Sequence, residues 1–403
     1  MTTIGLAEHG PPQSVPLAEP AGRALIRSGV VDAAPDPDVA GQWRVRAKNL
    51  VGVATIRTGD GAAITVRVAP KIPIARLLFL LGYSRVRWRT DQVVVGEQRD
   101  LLPAFAQLFT LQAEQSLRQG LLKGYREVEE TALVMRGRVR HADQVSRQHG
   151  RLIPLELTHD EYTTDIAENR LLRTACDALL RLPGTSPAGV PADVRGRLLR
   201  LRAHLGDITP VPRGHPLPTW RPSRLNARYY DALRLASLVL RGASVEHRPG
   251  DVTVHGFLFD LAKVFEDFVT AALRAALAGD GDYRGHCVLQ ATHHLDESNA
   301  IRIVPDFVAY AEDGTPLAVA DTKYKAEQPA GFPDADLYQM LAYCTALNLR
   351  EGHLIYARGN APHGSHRVKH AGVTIHQHAL DLDRPPGDLL RAISLLARRL
   401  GTT

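Results

Sequence analysis

The segment Ile303–Lys325, IVPDFVAYAEDGTPLAVADTKYK, constrains this chain more than any other. Two β-like apolar runs flank Asp313–Gly314, a strong signal for a tight hairpin turn. Pairing outward from a two-residue turn at 313–314 sets Glu312 opposite Thr315. The same register sets Asp306 opposite Asp321. Directly opposed residues on antiparallel strands have Cβ atoms roughly 4.5–5.5 Å apart. Two carboxylates that close repel each other unless a cation lies between them. Lys323 follows Asp321 by two residues, which places both on one face of the strand. The expected product is a cluster of two carboxylates and one ammonium. Such a set supplies what metal-assisted phosphodiester hydrolysis needs: hard oxygen ligands, and a cation beside the attacking water or the developing charge. A one-residue bulge would break this register.

Charged residues at strand ends are also common where no chemistry occurs. Two local facts favour a site. Lysine is scarce, with seven against forty-two arginines, yet one falls at the required place. The run Leu317–Ala320 reads as a buried strand, where unpaired charge is expensive.

At 403 residues the chain can hold two or three cores. Its 44% hydrophobic and 23% charged content are those of a soluble globular protein, and no run approaches the ~20 apolar residues of a membrane span. The opening MTTIGLAEHGPPQSVPLAEP lacks a basic start and an apolar core, so no secretory signal is expected. Cys176, Cys287 and Cys344 are far apart, which argues against a disulfide framework or zinc ribbon and fits a reducing cytoplasm. A net charge of +6 permits nucleic-acid binding and equally serves solubility.

The fold class expected is α+β and multidomain. Residues 1–40, rich in Pro, Gly and Ala, read as a loosely ordered arm. Residues 41–98 read as a small β-rich domain, with antiparallel strands WRVRA, LVGVATIR and AAITVRV, a turn at Gly59–Asp60–Gly61, and a helix IARLLFLLGY. Residues 99–248 read as mainly helical, with an exposed proline-rich loop at Gly206–Pro222. Arg195, Arg197, Arg200 and Arg202, then Arg213, Arg221, Arg224 and Arg228 with Trp220, Tyr229 and Tyr230, fit a phosphate-tracking surface. They fit a solvated helix face and loop as well, and that origin is commoner. Residues 249–403 read as a C-terminal α/β domain with a mixed sheet. Its first helix, FLFDLAKVFEDFVTAALRAAL, carries an apolar stripe of Leu258, Leu261, Phe265, Phe268 and Ala272 and stops at Gly279–Asp280–Gly281. Glu266 borders that stripe and is a candidate ligand. In PDADLYQMLAYCTAL, Gln339 and Tyr343 lie four apart, on one helix face. His293, His294, His376 and His378 read as strand-end or surface residues before metal ligands. The chain has no G-x-x-x-x-G-K-[ST] loop, no H-E-x-x-H and no nucleophile elbow.

A helix with Glu266, a strand ending at Asp306, a strand with Asp321-x-Lys323, then a helix with Gln339-x-x-x-Tyr343: this order resembles the PD-(D/E)xK nuclease core. VGVATIR, VAPKIPIARLLFLLGY, GLLKGYREVEETALVMRGRV, DEYTTDIAENRLL, NARYYDALRLASLVL and FLFDLAKVFEDFV extend the likeness. Together they resemble the McrC family, the nuclease subunit of McrBC-type modification-dependent restriction systems acting at 5-methylcytosine, over about residues 43–380. The resemblance implies a cytoplasmic, Mg2+-dependent DNA endonuclease for phage defence. It implies a partner, a McrB-like AAA+ GTPase ring, that binds the GTP and recognises double-stranded DNA carrying modified cytosine. The N-terminal region would dock into that ring and stimulate its hydrolysis. By the same resemblance Asp306 and Asp321 would bind metal, Glu266 would help directly or through water, and Lys323 would orient or activate the attacking water. Gln339 and Tyr343 would support the site or contact DNA. The alternative function is a non-catalytic adaptor that activates a partner NTPase and holds DNA.

Overall fold

A computed structural model of the chain describes residues 2–57, 63–83, 101–182, 190–212, 214–248, 252–324, 334–357 and 364–401. The expected turn at Gly59–Asp60–Gly61 and Arg213 lie outside the described residues. The chain divides into two compact units, one of residues 1–100, 246–254 and 258–403, the other of 101–245 and 255–257. The N-terminal hundred residues thus cluster with the C-terminal region rather than standing as an arm and a separate small domain.

The first forty residues differ from the expected loose arm. Thr2–Ala7 is a strand that pairs in parallel with Ala63–Ala69, and its alternation buries Ile4 and Leu6. Glu19–Ser28 is a helix ended by Gly29, whose φ of 67° is the left-handed conformation that glycine adopts without a Cβ penalty. Leu25, Val30 and Val31 are buried. Proline, glycine and alanine here mark ends of short elements, so composition concealed an ordered pattern. Gln42–Ala47 leaves the expected three-strand unit. It joins an antiparallel sheet with Gln13–Pro16 and Val31–Pro35. Leu50–Arg57 and Ala63–Ala69 pair with each other inside a five-stranded sheet completed by Thr2–Ala7, Val252–Asp260 and Ala243–Arg248.

The expected helix beginning FLFD starts later. Phe257–Asp260 finish the strand Val252–Asp260, so Leu258 is not part of a helical stripe. Asp260 then caps the helix Leu261–Ala278, its carboxylate accepting the Ala262 N–H at 2.9 Å. Phe265, Phe268, Val269 and Leu273 are fully buried along this helix, and Phe268 meets the rings of Phe79 and Tyr83 edge-on, 5.5 and 5.3 Å away. The helix reaches Ala278 and is capped at Gly279, where the sequence placed its end.

The C-terminal sheet has six strands in the order His286–Leu289, Phe307–Tyr310, Pro316–Lys323, Glu351–Ala357, Thr374–Leu380, Gly364–Arg367. The first three are antiparallel, the middle three parallel, and the last antiparallel to its neighbour. The helix Asp334–Ala346 links the parallel pair Pro316–Lys323 and Glu351–Ala357. Ala318, Val319, Ala320 and Asp321 are all buried, so the central strand is covered on both faces. Met340, Tyr343 and Cys344 pack with Val308, Val319, Leu354 and Tyr356 in one core.

The second unit holds helices Leu101–Leu117, Ala167–Arg181, Ala192–His204 and Tyr230–Gly242 as expected. It also holds an antiparallel sheet of Gly124–Ala132, Leu155–Thr163 and Arg138–Val139, which periodicity does not reveal. No residue of GYREVEETA is buried, so it carries no apolar alternation. The run DEYTTDIAENRLL is structural here. Asp165 accepts from Arg126, Arg170 and Thr209, and buried Asn169 donates to the carbonyls of Leu122 and Thr164. Four of the eight clustered arginines make contacts within the fold. Arg197 forms a two-pronged pair with Glu114, Arg202 pairs with Asp177, Arg195 donates to Leu180 O, and Arg228 to Gly120 O.

Candidate functional site

The hairpin reaches its expected register by an unexpected route. Ala311 N–H donates to Thr315 O and Gly314 N–H to Ala311 O, closing a loop one residue longer than a two-residue turn. Glu312 therefore does not pair with Thr315. Tyr310 then faces Pro316 while Ala309 faces Ala318, so Leu317 is an extra residue on the second strand. The bulge cancels the offset of the longer turn. From Ala309–Ala318 through Phe307–Ala320 the pairing is the one a two-residue turn would have set.

Beyond Phe307–Ala320 the ladder stops. One step further its register sets Asp306 opposite Asp321, and two steps further it would place Pro305 opposite Thr322, where proline has no N–H to give. The Thr322 N–H and hydroxyl turn instead to Asp306 Oδ2, at 2.8 and 2.7 Å. Asp306 is thereby fixed against the strand that carries Asp321. Asp321 is 3% exposed, and its Oδ2 is in an ion pair with Lys323 Nζ but without an aligned hydrogen bond. Lys323 Nζ also donates to Gln339 Oε1 at 2.8 Å. Gln339 Nε2 donates to the Tyr343 hydroxyl at 2.6 Å, and that hydroxyl donates to Val304 O at 3.3 Å. The one-face relations of Asp321 with Lys323 and of Gln339 with Tyr343 are thus realised as contacts.

Electrostatics ties the carboxylates together. Burial, then repulsion from Asp321, raises the Asp306 carboxyl above its ordinary range. Burial raises Asp321 against the pull of Lys323. Glu266 is raised by burial and by Asp306, against a 2.7 Å bond from Lys263. The Tyr343 phenol is pushed up to about 12 by burial and by both aspartates. Among the described residues no three His, Cys, Asp or Glu side chains converge closely enough to hold a metal ion between them. Asp306 is repelled by Asp321, and Glu266 in turn by Asp306.

Four contributors were missing from the sequence reading. Thr322 holds Asp306. Gln290 donates its backbone N–H to Asp306 O at 3.1 Å and its amide to Glu266 at 2.5 Å, joining the two acids. Lys263 balances Glu266, and its i,i+3 spacing was a usable signal. Asp336 is buried, accepts from the Tyr356 hydroxyl at 3.2 Å, and repels Asp321. The histidines fall elsewhere. His376 and His378 stack with buried His353, whose imidazole is held neutral by burial, down to about 3. His293 bonds Tyr310.

This arrangement gives the family comparison its meaning. The model of the McrBC 5-methylcytosine restriction system component matches residues 45–357, which takes in the hairpin, Lys323 and the Gln339 helix. The chain belongs to this McrBC family. A chain in the refined half-complex from the tetradecameric assembly of Thermococcus gammatolerans McrB AAA+ hexamers with bound McrC has the same fold. It is 17% identical, with a TM-score of 0.59 over 99% of this chain and 100% of that one. A cryo-EM structure of the Thermococcus gammatolerans McrBC complex is 20% identical over 69% of this chain and 89% of that one, with a TM-score of 0.39. No curated protein matches. No helix of the described residues in this McrBC-family chain is long and apolar enough to cross a membrane.

Proposed function

We propose that this McrBC-family chain is the endonuclease subunit of a modification-dependent restriction system, cleaving DNA phosphodiesters by Mg2+-assisted hydrolysis in the cytoplasm. The observation that carries the reading is the pair of half-buried Asp306 and buried Asp321, with Lys323 against Asp321 and Gln339. The donor set suits Mg2+, which binds through one or two carboxylates and keeps several waters. Asp306 and Asp321 would hold it, and Glu266 would reach it through water. Bound there, the ion would lower the pKa of a coordinated water and stabilise charge on the phosphoryl oxygens.

The chain's own residues do the rest. Thr322 clamps Asp306, so that carboxylate needs no reorganisation when the substrate arrives. Lys323 is held between Asp321 and Gln339, and would serve there as a fixed positive charge for the attacking water. Gln339 and Tyr343 keep the lysine from swinging to solvent. The partner would be a McrB-like AAA+ GTPase ring, as in the half-complex that shares this fold. That ring would bind GTP and select DNA with modified cytosine, and the N-terminal region would dock and stimulate it.

The test is cleavage of methylated and unmethylated plasmid by this chain with its partner ring, Mg2+ and GTP. Cleavage that requires the ring and disappears in Asp321→Ala, with ring binding retained, supports the reading. No cleavage by the intact pair, with GTP hydrolysis still stimulated, would replace it with the adaptor function.

A further inference from the structure

Glu8 is wholly buried, at the end of the N-terminal strand Thr2–Ala7. Its N–H donates to Ala69 O at 3.0 Å, and its Oε2 accepts the Lys71 N–H at 3.0 Å. The same carboxylate accepts a hydrogen bond from the Tyr324 hydroxyl. Tyr324 is the residue directly after Lys323. Its ring lies 6.0 Å from that of Phe265, the neighbour of Glu266, and 6.1 Å from that of His9. One phenol therefore touches the helix that carries Glu266 and the N-terminal turn, from the end of the strand that carries Asp321 and Lys323.

A buried carboxylate is an expensive way to fill space, since its effective desolvation penalty is several kcal/mol. An apolar side chain would leave the Lys71 N–H and the Tyr324 hydroxyl without this acceptor. What the carboxylate adds is direction: it fixes the phenol, and the phenol fixes the strand end. Tyr324 directly follows Lys323, the last residue of the strand Pro316–Lys323, so a shift at one is a shift at the other.

We propose that Glu8 and Tyr324 are a positioning pair for the nuclease centre, holding the strand end so that the Lys323 ammonium points at the Asp321 side of the site. The inference rests on the nuclease reading above. It also ties Glu8, at the end of the N-terminal strand, to the cleavage site.

The experiment is steady-state cleavage by the full chain with its partner ring, in a double-mutant cycle. Tyr324→Phe removes one hydroxyl and should lower kcat about ten- to a hundredfold, the range that a sub-ångström to 1 Å misplacement produces. The DNA concentration for half-maximal rate should not move. Glu8→Gln keeps an acceptor oxygen for the phenol and should restore most of the rate, whereas Glu8→Leu should match Tyr324→Phe. In a Lys323→Ala background, Tyr324→Phe should add no further loss, because the pair acts through the lysine. An equal loss in both backgrounds overturns the positioning role, and so does a Glu8→Gln variant as slow as Glu8→Leu. Unchanged cleavage by Lys323→Ala alone overturns the nuclease centre itself, which separates the two failures.

Discussion

Lys323→Met tests the charge balance of the site without any assay of activity. The lysine side chain is 15% exposed and its partner Asp321 is 4% exposed. Methionine keeps the length and apolar stem of lysine and removes the ammonium. Asp321 then stays buried beside Asp306 with no cation against it. Removing one partner of a buried ion pair destabilises by about 3–5 kcal/mol, because the remaining charge is uncompensated. Urea unfolding at pH 7 in EDTA should show that loss. The double variant Asp321→Asn/Lys323→Met carries neither charge and should be at least as stable as wild type. The pH dependence follows from the raised carboxyls of Asp306 and Asp321. A carboxyl whose folded pKa lies above its unfolded value binds its proton more tightly when folded, so stability falls as pH rises through that window. The penalty of Lys323→Met is therefore full above the raised folded pKa and fades as pH drops toward the ordinary 3.8. Mg2+ should stabilise Lys323→Met more than wild type, since the cation supplies the missing charge. A Lys323→Met protein as stable as wild type in EDTA at pH 7 would refute the reasoning. So would a double variant that loses as much as the single.

Gly352→Ala probes how closely the Asp334–Ala346 helix approaches the sheet. A Cβ there would lie 2.6 Å from Cys344 Sγ and 2.6 Å from Met340 Sδ. Overpacking of this kind costs about 1–3 kcal/mol, and thermal melting should fall accordingly; an unchanged melt would mean the helix can move away freely. Cys176 and Cys344 are buried, and burial pushes both thiols up to about 12. Neither should react with a thiol reagent at pH 8 until the chain is unfolded, as read by mass spectrometry of the labelled peptides; rapid labelling of either in the native protein would contradict the packing.

The C-terminal domain was legible because its pieces obey local rules. Asp334–Ala346 and Pro386–Gly401 show helical spacing, and Pro316–Lys323 is an uninterrupted apolar run that ends in charge. The N-terminal forty residues were not legible, because their order comes from pairing across distance. Thr2–Ala7 is a strand by virtue of Ala63–Ala69, some sixty residues on. Gly22 illustrates the same point. It lies where the Trp43 ring passes, with an added Cβ only 2.1 Å from the ring, and no neighbour in sequence announces that. The ribbon of Gly124–Ala132 with Leu155–Thr163 escaped for the opposite reason. It pairs fully through its backbone while burying little on the first strand, so the signal that marks most strands is missing.

The site was legible for a subtler reason. A two-residue turn without a bulge was expected; the chain has a longer turn and a bulge. The two departures have opposite sign, and the register downstream is unchanged. Such cancellation is what burial selects. A net one-residue slip would turn Val308, Val319 and Ala320 to the wrong faces of a sheet that is covered on both sides. The hydrophobic pattern therefore fixes the register near Asp306 and Asp321, and the turn adapts through Leu317. What no pattern reveals is the set of polar partners that convert proximity into a held geometry: Thr322 on Asp306, Gln290 between Asp306 and Glu266, Glu8 on Tyr324. Each is a contact between segments chosen by tertiary packing. Alternation placed the charges on one face, and the fold supplied the hydrogen bonds that keep them there.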